Sequence, residues 1–221
     1  MAEQTESTSL LREIDEELRR ERYKKLWQKY GVYLVAIAAV LVAGVGGYQG
    51  WRSHDLNMRR EAGERLEKAK DLAGREQREA ARVEFAALAR DARPGYAMLA
   101  RFQEAALLAR ASDHPGAAAL YRSIAEGSGA DSLYRDLALL LGAMHEARVS
   151  DPALLIERLK PLTAPDNPWR HSARELQAAL AGLVGDRERA RELLANLAQD
   201  VQAPEGLRQR AEEMLAVLEG K

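Results

Sequence analysis

Histidine can carry protons, bind metals or assist a nucleophile near neutral pH, so the four histidines are where chemistry would start in this chain. His54, His114, His145 and His171 are scattered along the sequence, and His145-Glu146 leads to Val149 instead of the second histidine that a zinc-protease helix needs. A structural or surface role is expected for each. Cysteine is absent, which removes thiol catalysis, disulfide frameworks and thiolate zinc sites together. Gly44-x-Gly46 lies inside an apolar run, not between a strand and a helix, and no Gly-Lys-Ser/Thr follows to cradle a phosphate. The 34 acidic residues face 33 basic ones and sit beside arginines on charged helix faces, the pattern of solvated i, i+4 pairs. The expectation is therefore a non-enzyme with no catalytic, cofactor-binding or metal-binding residues. A net charge of −1 leaves no footprint for nucleic acid.

With no reacting group to position, the elements themselves carry the information. Residues 30–51 hold no charge, and Gln49 is their single strongly polar side chain. As a helix rising about 1.5 Å per residue, such a stretch reaches roughly 33 Å, enough to cross a hydrocarbon core of about 30 Å. Tyr23, Trp27, Tyr30 and Tyr33 gather at one end and Tyr48 and Trp51 at the other, where amphipathic rings meet the two interfaces. Residues 15–29 carry six Lys/Arg and residues 52–66 carry four, which points the N-terminus into the cytoplasm. A cleaved export signal would need a short basic lead, and the lead here is 29 residues with a helical pattern of its own. Within the span, Ala43, Gly46, Gly47 and Gly50 form a small-residue face that would let another helix approach.

The expected organisation has four parts. Residues 1–29 form a cytoplasmic segment, frayed over 1–8 and then a short amphipathic helix capped by Ser9, with Leu10, Leu11, Ile14 and Leu18 on one face. Residues 30–51 form the single membrane helix, residues 52–93 linker helices, and residues 94–221 a helical-repeat domain. Aromatics are sparse and Ala, Leu, Arg and Glu dominate, so the fold class expected is all-α. Apolar periodicity predicts helices near 56–74, 76–93, 96–110, 115–126, 131–147, 152–162, 168–182, 186–200 and 204–219. Asp131, Asp151, Asn167 and Asp186 are expected N-caps, with Pro115, Pro152, Pro168 and Pro204 in first-turn positions where a missing N–H costs nothing.

Evenly spaced helix pairs call for a search for repeats. Ala105-x-x-Leu108-x-x-x-Ser112, followed by Ala117 and Tyr121, has the spacing Ala-x-x-Tyr-x-x-x-Gly…Ala…Phe of the tetratricopeptide repeat. Ala178, Ala181, Gly185, Ala190 and Leu194 repeat those offsets, and Ala143, Glu146, Ser150, Leu155 and Leu159 give a weaker copy. Small residues at the crossing of two helices let their axes approach, so that successive pairs bury one apolar layer. Arg101 and Glu104 stand where large packing residues belong, which points to a shifted first register or an unusual partner surface. On this register Leu99, Phe102 and Ala106, with Leu137, Leu140 and Met144 one repeat on, face the groove lined by the first helix of each pair. Such a groove suits an apolar peptide or a partner's helix, unless the chain's own final helix fills it.

One N-terminal apolar span followed by these repeats resembles the ancillary subunit family of the bacterial Sec translocon, inner-membrane proteins with a periplasmic tetratricopeptide-like domain. The resemblance rests on YKKLWQKYGVYLVAIAAVLVAGVGGYQGW, PGYAMLARFQEAALLARASDHPGAAALY and GLVGDRERARELLANL, and covers the chain from about Arg19 onward. It implies a single-pass protein of the inner membrane whose partners are translocon subunits, periplasmic chaperones and unfolded client chains. It carries over no catalytic residue. The reading that competes with it is a scaffold of the cell envelope or division apparatus whose repeats organise self-association.

Overall fold

The computed structural model describes the backbone from Ala2 to Gly220, and the side chains of residue 24, residues 27–37 and residues 39–220. Among the described residues there are nine α-helices, one 3₁₀ turn at Lys160–Thr163 and no strand, so the all-α expectation holds. The first helix, α1 (Ala2–Gly74), is continuous over 73 residues. Its backbone is helical from Ala2, where an irregular lead was expected, and the amphipathic face expected at Leu10, Leu11, Ile14 and Leu18 lies outside the described side chains.

Two compact units divide the chain at Arg60 and Glu61. In the first, every side chain from residue 39 to residue 54 is exposed, with Val40 at 72 % and Val42 at 73 %. Within the helix stretch Trp27–Gly74, the most apolar window is only 6 % buried, and the stretch is long and apolar enough to cross a membrane. A soluble protein would bury such a stripe in its core, because exposed apolar area costs about 25 cal/mol per Å² in water. At Gly31 the close neighbour is the Trp27 indole, 3.3 Å from where a Cβ would stand.

The second unit, residues 61–221, is a stack of helix pairs. The tail of α1 packs on α2 (Arg78–Asp91) through a core layer of Ala62, Ala69, Ala81, Phe85 and Leu88, and α3 (Pro94–Arg110) pairs with α4 (His114–Glu126), α5 (Ser132–Glu146) with α6 (Pro152–Leu159), and α7 (Arg170–Leu183) with α8 (Arg187–Gln199). The last helix, α9 (Glu205–Glu219), packs on α8 and α7. Asp131, Asp151 and Asp186 do cap their helices, accepting from the N–H groups of Leu133, Ala153 and Arg189 at 2.9–3.0 Å. Asp113 caps α4 in the same way through Gly116, a cap the sequence reading missed. Asn167 instead closes a turn onto the Trp169 N–H, so α7 begins later than expected, at Arg170. Pro204 is the cap residue of α9 and not its first-turn residue.

The small crossing residues behave as the repeat predicts. Ala105, Ala117 and Ala143 are fully buried, and Ala178 and Ala190 are 1 % exposed. The register over α3 is not shifted: Ala105 sits at the crossing, while Glu104 is half-buried and Arg101 stays at the surface. The structure also reveals an earlier copy. Ala69, Leu72, Glu76, Ala81 and Phe85 follow the same offsets, with Ala69 and Ala81 fully buried and Phe85 at 1 %. At the turn position of three copies the backbone is left-handed, in Glu76 (φ 62°), Ser112 (φ 63°) and Gly185 (φ 82°). That conformation lets the chain reverse between two helices whose crossing residues lack bulk.

Candidate protein-interaction surface

The first helices of the pairs, α3 and α5, carry the six residues that the sequence placed on a groove. Leu99 and Met144 are open to solvent, at 39 % and 52 % exposure. Phe102, Ala106 and Leu137 are half-buried. Phe102 leans on Tyr121 of α4, with ring centroids 5.8 Å apart at an interplanar angle of 57°. Leu140 does not face solvent: it is 4 % exposed and belongs to the core layer of Leu155, Leu159, Leu162, Ala173 and Leu180. A residue at helical spacing from Leu137 and Met144 turns inward here because α6 and α7 close over that side of α5. In the first unit, the Ala43, Gly46, Gly47 and Gly50 face is fully exposed, and a Cβ added at any of the three glycines would meet nothing within 4 Å.

Three polar clusters tie helices of the domain together. Glu146, only 3 % exposed, accepts from Arg122 of α4 and Arg158 of α6, each at 2.6 Å, and so ties three helices together. The expectation that carboxylates are solvated helix-face groups fails at this residue, because the position that holds Tyr in the repeat is Glu146, whose buried carboxylate needs a cation as its partner. Next to it, His114 and His145, 31 residues apart in sequence, bring their Nδ1 atoms to 3.2 Å. Their ring centres are 5.4 Å apart, so the two nitrogens lie between the rings and the pair meets edge to edge, one nitrogen donating and the other accepting. Burial, and then the neighbouring charge of His114, hold the His145 pKa below its ordinary value. Tyr121 lies parallel to His145 at 5.7 Å, and burial raises its phenol pKa.

The third cluster joins α7 to the loop after α8. His171 Nε2 is 3.0 Å from Asp200 Oδ2, and Arg174 Nη1 is 3.7 Å from the same oxygen. The Gln202 N–H, followed by the hydrogen bond and charge of His171 and the charge of Arg174, lowers the Asp200 pKa against the opposing effect of burial. Trp169 is a packing anchor: it packs on the core layer of α5 to α7 and its indole N–H donates to the Leu133 carbonyl at 3.0 Å. Nothing in sequence flags the histidine pair, since only the crossing of α4 and α5 brings residues 114 and 145 together. Among the described residues no three His, Cys, Asp or Glu side chains converge as a metal site would require.

Stacked helix pairs with small crossing residues and partly open first-helix faces define a helical-repeat fold of the kind that binds other proteins. Over residues 24–192 the chain matches the family model of the tetratricopeptide repeat-like domain, and it belongs to that family. No curated protein and no solved structure matches the chain.

Proposed function

We propose that the protein is a membrane-tethered adaptor that works through protein–protein contacts and performs no catalysis. The observation that carries this reading is the combination of an exposed, uncharged helical stretch long enough to cross a bilayer with a tetratricopeptide-like domain in one chain. Residues 30–51 form the membrane span, the basic residues before it stay in the cytoplasm, and the repeats stand in the periplasm. The domain's partners are Sec translocon subunits and periplasmic chaperones, to which it passes emerging client chains, as the sequence resemblance implies. The small-residue face at Ala43, Gly46, Gly47 and Gly50 offers a second contact, within the bilayer.

Affinity capture of the full chain from solubilised membranes tests the partner assignment. Recovery of translocon subunits supports it; recovery of the chain's own copies or of division proteins alone replaces it with the scaffold reading. Bulky substitution at Gly46 or Gly47 should reduce that recovery if the membrane face takes part. Protease added to sealed inside-out vesicles should spare the repeat domain, and its digestion there would reverse the orientation.

A further inference from the structure

An arginine on a solvated helix usually finds an acid one turn away, and Arg59 does so, meeting Asp55 at 2.8 Å. Arg52 and Arg60 do not. Both are exposed, and among the described residues neither has an ion pair or hydrogen bond. Instead they line one hollow of about 340 Å³ on the side of α1, where Gln49, Ser53 and Asn57 add neutral polar groups and no acid contributes. Gln49 is the single strongly polar side chain of the uncharged stretch, and it turns toward this hollow. All of these residues lie in the first unit.

The depth of the hollow follows from the span. Tyr48 and Trp51, with ring centroids 6.4 Å apart, mark the edge of the hydrocarbon, and polar headgroups add roughly 5–7 Å beyond it. Along the axis Arg52 and Ser53 stand within about 3 Å of Trp51, and Arg60 about 13 Å from it. A helical side chain covers the turn before its own Cα, and on a helix leaving the bilayer C-terminal end first that turn is the membrane-side one. Arg60 therefore leans back toward the headgroups, which is how two arginines about 12 Å apart along the axis line the same hollow. Snorkelling from the bilayer edge accounts for Arg52 singly. It does not account for Arg60, or for the neutral donors gathered between the two.

We propose, resting on the reading of residues 30–51 as a membrane span, that this hollow holds the headgroup phosphate of an anionic phospholipid in the leaflet on the repeat side. Arg52 meets the phosphate from the membrane side and Arg60 from above, while Gln49, Ser53 and Asn57 donate to the remaining headgroup oxygens. Guanidinium groups suit this task, because each presents parallel N–H donors that match a phosphate bidentately. A lipid held on one face would set the depth and rotation of α1 in the bilayer.

Native mass spectrometry of the full chain in detergent micelles, titrated with phosphatidylglycerol or phosphatidylcholine, tests this. The wild-type chain should retain phosphatidylglycerol in preference, and a large excess of inorganic phosphate should not displace it. Arg52→Gln/Arg60→Gln should weaken that retention at least about tenfold, since one basic residue near an anionic lipid surface contributes about fivefold. Arg59→Gln/Arg65→Gln removes the same charge from arginines that pair with Asp55 and Asp91, and should retain the lipid as the wild type does. Circular dichroism should report the same helix content in every variant. Equal loss in both double variants, no preference between the two lipids, or displacement by inorganic phosphate overturns the proposal. Alkaline washing of vesicles scores the span separately. A chain that stays in the membrane without retaining phosphatidylglycerol overturns the lipid site alone, whereas a chain that washes off overturns the span and the site with it.

Discussion

At the scale of single residues, the polar groups that matter most are those that folding brings together. Glu146 joins Arg122 and Arg158, which remain 47 % and 30 % exposed at their side chains and so keep much of their hydration when the carboxylate is lost. Glu146→Ala is expected to cost about 1–3 kcal/mol, well under the penalty for stranding a fully buried charge. For a unit of this size that lowers Tm by about 2–4 °C per kcal/mol in a thermal melt, with Glu146→Gln falling between the two. The histidine pair gives a pH signature. A folded-state pKa held below that of the unfolded chain means the unfolded chain binds more protons, so the contribution of His145 is complete above about pH 6.5 and is lost as pH falls through its depressed value. Tm should therefore decline on acidification below about pH 6.5, and His145→Phe, which keeps a ring against Tyr121, should flatten that slope. Asp200, also held low, adds a separate loss only below about pH 4.

At the scale of elements, each helix pair is closed by a crossing of small residues and a tight turn. Successive pairs also approach closely: a Cβ at Gly142 of α5 would stand 3.3 Å from the Tyr121 Cβ of α4. The turns are less well fitted to their sequence, since Glu76 and Ser112 hold a left-handed conformation that Gly185 holds at the equivalent place without strain. Left-handed backbone costs an L-residue roughly 1–2 kcal/mol, so Glu76→Gly and Ser112→Gly should each raise stability, by about 0.5–1 kcal/mol after the entropy lost by a freer unfolded chain. Gly185→Ala should lower it by a similar amount, and chemical denaturation of the three variants checks the signs. The helix limits and most caps were legible in sequence, because Asp and Pro punctuate this chain at positions where their own geometry terminates or starts a helix. The earliest repeat was not legible, because Glu76 stands at its turn where Gly or Ser marks the later copies.

At the scale of the molecule, a repeat stack needs its end covered, and α9 performs that task. Leu207 and Ala211 are buried, and α9 shares a core layer with Leu194 and Leu197 of α8, which are 0 % and 1 % exposed. Ending the chain at Ala203 would uncover both leucines, and fully burying such a side chain stabilises by about 1.5–3 kcal/mol. The truncated protein is expected to melt several degrees lower and to self-associate, as light scattering would report. What the sequence by itself determined follows from local rules. Helix periodicity, capping, an uncharged run of membrane length and the recurring small residues each act through neighbours a few positions apart, so a linear reading recovers them. Only the tertiary structure decided which residues of a shared helical face stay open. Leu140 is drawn into the core while Met144, four positions on, remains at the surface, because α6 and α7 cover the side of α5 that carries Leu140 and do not reach Met144. The same holds for the Glu146 cluster and the His114–His145 pair, whose members meet across helices separated by 12 to 31 residues, and no local pattern encodes that distance.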